Sequence, residues 1–307
     1  MDRREARDRR RRAVRRQRIA AAAAVVAVSL IAIVALISAL ASSGSGGRTS
    51  TRMEAKGATS KADGNGVAKG AGSDLVRNST SQPGWKPHTG PVPILEYHVL
   101  GPPPPGAPYP ELFVERPDFK SQMDWLERHG YQAVTLEQVE AAWHHGGLLP
   151  PKPVVLSFDD GYRPQYTFAM PVLRSHGWAG VLNLKAQGSD LYHSDVKAMI
   201  AAGWELAAHT IHHLDLTTLG ASQLREEVAG SRAILRRECG VPVADFCYPA
   251  GRFDPTVVAA VKAAGYVGAT TEIAGYASRD KPYELNRFEI LRSTKVAGLT
   301  AVLRSGP

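Results

Sequence analysis

The stretch Val154-Val155-Leu156-Ser157-Phe158-Asp159-Asp160-Gly161-Tyr162 decides how the rest of the chain is read. Its apolar start, after Pro151 and Pro153, predicts a buried strand. That strand delivers two adjacent carboxylates and a glycine. Neighbouring residues at a strand end point to different sides, so Asp159 and Asp160 can hold separate tasks, one binding a cation and the other taking a proton. Gly161 lets the chain turn sharply without steric cost. Taken alone, the same residues also fit a solvated Asp-Asp-Gly turn.

A second stretch, Glu205-Leu206-Ala207-Ala208-His209-Thr210-Ile211-His212-His213, repeats the plan of an apolar strand ending in metal-competent side chains. His209 and His213 are four apart, a spacing that one helical turn would bring to one face. His212 shares a helical face with His209 too, so it is an alternative to His213. Two imidazoles and a carboxylate form a familiar ligand set for catalytic zinc with one open position.

Working outward, strands are predicted at 91–98, 131–134, 154–158, 180–184, 204–208, 243–248, 266–270 and 289–291. Helices are predicted between them at 119–129, 136–144, 164–176, 194–202, 221–238 and 255–264, with a short one after Gly298. Thr135-x-x-Gln138 reads as a capping box, and Pro171 as a kink within 164–176. Alternating strands and helices predict an α/β fold with parallel pairing. The count of seven or eight strands suits a closed barrel, and an open doubly wound sheet stays possible on pattern alone. His98, Asp159, Asp160, His209 and the turn Tyr248-Pro249-Ala250-Gly251 all stand at predicted C-terminal strand ends. In a parallel barrel those ends share the face that carries active sites.

These motifs carry a resemblance. Ser157-Phe158-Asp159-Asp160-Gly161, His209-Thr210-x-x-His213 and Tyr248-Pro249-Ala250-Gly251 resemble, in this order, the first three motifs of the polysaccharide deacetylases, the NodB-homology or carbohydrate esterase family 4 domain. The resemblance covers roughly residues 90–307. It implies a distorted (β/α) barrel of about seven strands. It also implies one divalent cation, with zinc as the first expectation, bound by Asp160, His209 and His213. Asp159 would be the general base, and the backbone N–H of Ala250 the oxyanion donor. The implied reaction is hydrolysis of N-acetyl groups from a cell-wall or extracellular polysaccharide containing N-acetylglucosamine. An O-acetyl xylan esterase and a non-catalytic glycan-binding module stay open as alternatives.

Two positions depart from the family pattern. Cys247 stands where many members have an arginine that orients the base, and no histidine follows His213 to act as the late general acid. Leu95-Glu96-Tyr97-His98 resembles the early Tyr-His element of a subgroup related to poly-N-acetylglucosamine deacetylases, which implies His98 as the acid. His193, in a predicted loop after a strand, is its competitor. Arg287 and Arg292, near the last predicted strand, are candidates to replace the missing arginine.

The formal charge of +8 belongs to the beginning of the chain: residues 1–18 hold ten Arg and a net +7, leaving +1 for the other 289. A nucleic-acid groove in the main domain therefore has no support. Residues 19–41 are uncharged and long enough to cross a hydrocarbon core of about 30 Å. With the arginines ahead of them, they predict a single membrane anchor with a cytoplasmic N-terminus and the domain outside. A signal peptide cleaved near Ala41 is the alternative. Residues 42–88, rich in Gly, Ser, Thr, Ala and Lys, read as a flexible linker, leaving 89–307 as the domain. The two cysteines, Cys239 and Cys247, fit either a bridge or two free thiols.

Overall fold

The computed structural model describes residues 81–304 and 306. The expected tail, membrane anchor and most of the expected linker, residues 1–80, lie outside the described residues. Among the described residues, no helix is long and apolar enough to cross a membrane. Trp85, at the end of the stretch read as linker, is buried, and Lys86–Pro87 pairs antiparallel with Leu148–Leu149. That part of the stretch packs on the domain.

The central sheet has eight strands in chain order: β1 (Ile94–Tyr97), β2 (Gln132–Val134), β3 (Pro153–Asp159), β4 (Val181–Leu184), β5 (Glu205–Ala208), β6 (Asp245–Cys247), β7 (Gly268–Ala274) and β8 (Leu285–Glu289). All pair in parallel, and seven close a ring, β1-β3-β4-β5-β6-β7-β8 and back to β1. β2 adds to the beginning of β3, with Gln132 opposite Pro153. The ring is uneven. β5 and β6 meet at the single pair Phe246↔Ala208, and the β7–β8 register shifts between Thr270 and Ala274. The open-sheet alternative is thereby set aside.

Strand periodicity explains what the barrel contains. Side chains alternate in direction along each strand. Leu156 and Phe158 of β3, Leu182 and Leu184 of β4, and Leu206 and Ala208 of β5 join the large apolar cluster that includes Phe119, Met123, Leu224 and Val257 of the surrounding helices. The alternate residues form a second set. Its lower layer is apolar, with Ile94, Val155, Val181, Ala207 and Leu285 closed over by Trp85 and Trp143. One step further along the same strands the layer turns polar, with Glu96, Ser157, Asn183 and Arg287, all at most 1% exposed. The active face sits on this polar layer.

Several sequence expectations need correction. The last strand is β8 at Leu285–Glu289 and not 289–291, and its helix spans Lys295–Arg304, starting before Gly298. A buried arginine at 287 breaks the apolar alternation that would have marked the strand. The helix expected over 164–176 is a π-helical turn, Gln165–Ala169, running into the short helix Met170–Ser175. The Thr135/Gln138 capping box is present in both directions. Cys239 and Cys247 are free, the first half-buried at a helix end and the second buried in β6.

Candidate active site

Asp159 is the last residue of β3 and is buried at 1% exposure. Its carboxylate is fully engaged. Oδ1 accepts from Arg287 Nη1 at 2.9 Å and Asn183 Nδ2 at 2.7 Å, and Oδ2 accepts from Arg287 Nη2 at 2.9 Å and the Cys247 thiol at 3.3 Å. The fork of the guanidinium matches the carboxylate face to face. Burial pushes the Asp159 carboxyl up, but the Arg287 charge and hydrogen bonds outweigh it, with His209 and His98 adding to them. The net result lies well below the usual carboxylate range. Asp159 therefore stays ionised in the barrel interior.

Arg287 is the group that the sequence could name only as one of two candidates. It reaches Asp159 from β8, across the intervening strand β1, and is anchored by Thr271 O at 2.9 Å and Ser157 Oγ at 3.2 Å. Arg292 instead pairs with Glu115 at 2.7 Å and plays no part here. Cys247 occupies the position of the familiar arginine and contacts both Asp159 and Arg287, each at 3.3 Å. Burial pushes its thiol far up, so it is a neutral donor and not a reactive thiolate.

Asp160 follows at φ 75°, a left-handed conformation that non-glycine residues adopt at a cost. Thr210 (64°), His213 (59°) and Ala250 (50°) share that region. Four of the five such residues among those described thus belong to this one site, with only Lys295 elsewhere. Local strain of this kind is held in place by the surrounding packing and concentrates at functional centres.

The strained turns bring the second carboxylate to the two histidines. Asp160 Oδ1 lies 3.8 Å from His209 Nε2 and 3.5 Å from His213 Nε2, is buried, and has no hydrogen-bond partner among the described residues. Ligand atoms at about 2.0–2.1 Å from a tetrahedral zinc lie roughly 3.3–3.5 Å apart, so this O/N/N set fits such an ion with little adjustment. His209 donates from Nδ1 to Cys247 O at 2.8 Å, which fixes the tautomer and leaves Nε2 as the free lone pair. Burial lowers His209 to about 4 and also lowers His213, so both imidazoles are neutral near pH 7, the form that ligates. Lys185 Nζ stands 3.5 Å from Asp160 Oδ1, the nearest fixed positive charge to that oxygen. Asp159, His209 and Cys247 are also mutually close. That set is a poorer cation site, because Arg287 already occupies Asp159 and His209 Nδ1 is spent on a carbonyl.

The histidine pair does not sit on a helix. Residues 209–213 form an irregular loop in which Thr210 Oγ1 accepts from His213 N at 2.8 Å. Buried Glu227 accepts from the backbone N–H of Ile211 and His212 and from His212 Nδ1 at 2.6 Å. That bond turns His212 away from Asp160 and removes it as an alternative ligand.

His98 lies just past the end of β1 and is 8% exposed. Its Nε2 is 3.7 Å from Glu96 Oε1, and Glu96, His98 and Asp159 offer ligand-type atoms within 4.8 Å of one another. Glu96 is buried and 3.1 Å from Arg287 Nη2, and burial raises its carboxyl well above the usual value despite that arginine. His193, the competing histidine, is exposed at the start of the helix His193–Ala201. Ala250 sits in the Pro249–Gly251 turn after β6, and its N–H has no partner among the described residues.

Glu96, Asn183 and Gln165 escaped the sequence reading. Asn183 and Glu96 had a detectable mark, a polar residue alternating with apolar ones inside a predicted buried strand. Gln165, in a predicted helix, had none.

Comparison with known proteins agrees with this geometry. The sequence profile of the family described as Polysaccharide deacetylase matches residues 147–269. YxkH of Bacillus subtilis (strain 168), named for the polysaccharide deacetylases, is 30% identical over 205 residues, 65% of this chain and 71% of that protein. The poly-beta-1,6-N-acetyl-D-glucosamine N-deacetylase of Escherichia coli (strain K12) is 44% identical over 62 residues, 20% of this chain but only 9% of that protein. Among solved structures, the Streptococcus pyogenes deacetylase PplD in complex with acetate superposes with a TM-score of 0.66 at 24% identity, covering 72% of this chain and all of that one. The described barrel, the motif residues on its C-terminal face and the match to YxkH together establish that the chain belongs to the polysaccharide deacetylase family.

Proposed function

We propose that this hydrolase removes N-acetyl groups from a polysaccharide containing N-acetylglucosamine, with a zinc ion held by Asp160, His209 and His213. The observation that carries the reading is Asp159, ionised and locked by Arg287, directly beside the cluster of Asp160, His209 and His213, whose Asp160 Oδ1 has no hydrogen-bond partner among the described residues. When bound, the ion supplies Lewis acidity to the acetyl carbonyl and acidifies a water. Asp159 takes a proton from the attacking water. The Ala250 N–H donates to the oxygen that gains charge as the carbonyl becomes tetrahedral. His98 gives a proton to the leaving amine, so that the C–N bond breaks with acetate and a free amino sugar as products.

The alternative of a glycan-binding module with a degenerate site drew on the cysteine at 247 and the missing late histidine. Arg287 and His98 bear the corresponding chemistry from β8 and from the end of β1, and this favours the enzyme. Residues 19–41 remain proposed as a single anchor, on their composition, with the domain outside the membrane.

The test is acetate release by the zinc-loaded protein from N-acetylglucosamine oligomers, peptidoglycan fragments and acetylated xylan in parallel. Release from the N-acetylated substrates supports the reading. Release from acetylated xylan alone would replace it with an O-acetyl esterase.

A further inference from the structure

We propose that Gln165 is a positioning residue that sets His98 against Asp159 and so governs proton delivery to the leaving amine. The proposal builds on the reading of His98 as the acid. Gln165 is completely buried and opens the π-helical turn Gln165–Ala169 that follows the Asp-Asp-Gly motif. Its backbone N–H bonds to Tyr162 O at 2.9 Å. Its side-chain Nε2 donates to the carbonyl of His98 at 2.9 Å and to the carbonyl of Asp159 at 2.6 Å. An amide nitrogen carries two hydrogens, so one side chain serves both carbonyls.

The location gives these bonds their meaning. The β1–β3 ladder ends at the pair Tyr97↔Phe158. His98 and Asp159 are the next residue on each strand, past that last pair, so the β1–β3 ladder does not tie them to each other; Asp159 stays in register with Asn183 of β4, while His98 lies beyond its strand. Gln165 takes over there, cross-linking the two strand ends through the backbone of the proposed acid and the proposed base. Single π-turns inside helices recur at functional sites, where the extra residue re-aims a side chain.

The two residues depend on this tie unequally. The Asp159 carboxylate is independently held by Arg287, Asn183 and Cys247. The His98 ring has Glu96 as its ion-pair neighbour, at 3.7 Å. Loss of the tie therefore falls mainly on His98, and a displacement of about 1 Å is enough to cost on the order of 10²-fold in rate.

The experiment compares two substrates with the same acetyl group. A departing amine needs a proton, whereas an aryl acetate departs as a stable phenolate without one. Gln165→Met preserves length and removes both donors. It is expected to lower the ratio of N-acetyl to aryl-acetate turnover by at least about tenfold, while zinc affinity stays within about twofold of wild type. His98→Ala is expected to lower the same ratio, and the double variant to fall no further than His98→Ala alone, because residues acting through one another are not additive. If Gln165→Met does not fold, Gln165→Asn, one methylene too short to reach both carbonyls, carries the same expectation. Parallel loss on both substrates would mean that Gln165 only supports the fold, and would overturn the proposal. A ratio unchanged in His98→Ala would overturn the acid assignment itself. A ratio lowered in His98→Ala but unchanged in the Gln165 variants would overturn the link between them.

Discussion

The barrel buries carboxylates at both ends, and only the C-terminal end supplies an arginine that holds one of them ionised. At the C-terminal end, Asp159 meets Arg287 in a two-point pair and is held ionised. At the N-terminal end, Glu205 and Asp245 open β5 and β6, and Glu140 of the helix Leu136–His144 covers them. Asp245 and Glu140 both approach Gly268, where an added Cβ would lie 2.6 Å and 3.2 Å from their oxygens. No lysine or arginine pairs with these three among the described residues; Asp245 lies against Glu205, and Glu140 lies 3.5 Å from His144. Burial raises Asp245 to about 6 and Glu140 to about 7, and drives Glu205 well above its usual value. Arg287 therefore keeps Asp159 charged, although burial still raises Glu96 beside it, while the carboxyls at the other end are neutralised by taking up protons.

The largest expected effect comes from removing the cation that separates the two cases. Arg287→Met leaves Asp159 and Glu96 buried together with no positive partner. Breaking one side of a buried pair costs about 3–5 kcal/mol, and acetate release should fall to near background. Urea unfolding and turnover measured on the same preparation check both. A variant with wild-type turnover would show that the base does not depend on this pair.

His98→Ala should leave stability largely intact and lower kcat by about 10²–10⁴, the usual scale for positioned acid catalysis. His193→Ala should change little, since His193 is exposed at a helix start. The reverse pattern in a kinetic comparison of the two would move the acid to His193.

The smallest effect belongs to the N-terminal end and is read as pH dependence. Unfolded carboxyls titrate near about 4, below the folded values of Asp245 and Glu140. Their contribution to stability is therefore fully present below about pH 4 and lost as pH rises through 6 to 7. For Asp159, lowered on folding, the sign is opposite: its contribution is present above about pH 4 and is lost as pH falls through its folded value. The double variant Glu140→Gln, Asp245→Asn should therefore melt higher than wild type at pH 8, with the difference shrinking toward pH 5. Parallel melting curves across that range would show that these carboxyls are not proton-linked to folding.

Much of the catalytic face was legible because its residues sit at strand ends in contiguous motifs. Asp159 ends β3, and Asp160, His209 and His213 follow strand ends within a few residues, so a few neighbouring letters carry the information. The partners that make the site work are not local. Arg287 reaches Asp159 across 128 residues and Glu227 reaches the His212 side chain across 15, contacts that only ring closure and helix packing create. The four-residue spacing of His209 and His213 suggests a helical turn, but two left-handed residues, Thr210 and His213, bring the imidazoles together in an irregular loop. Strand β8 was displaced in the reading because its central side chain is a buried charge, and pattern alone treats a charge as a mark of the surface.

In the proposed reaction Asp160, His209 and His213 act as one ligand set beside an ionised Asp159. Zinc titration of the metal-stripped protein, with bound metal and acetate release followed in the same samples, tests this most directly. About one ion per chain should bind, activity should rise in step with occupancy, and Asp160→Ala or His209→Ala should abolish both. Full acetate release from the metal-stripped protein, or tight one-to-one binding that survives Asp160→Ala, would contradict it.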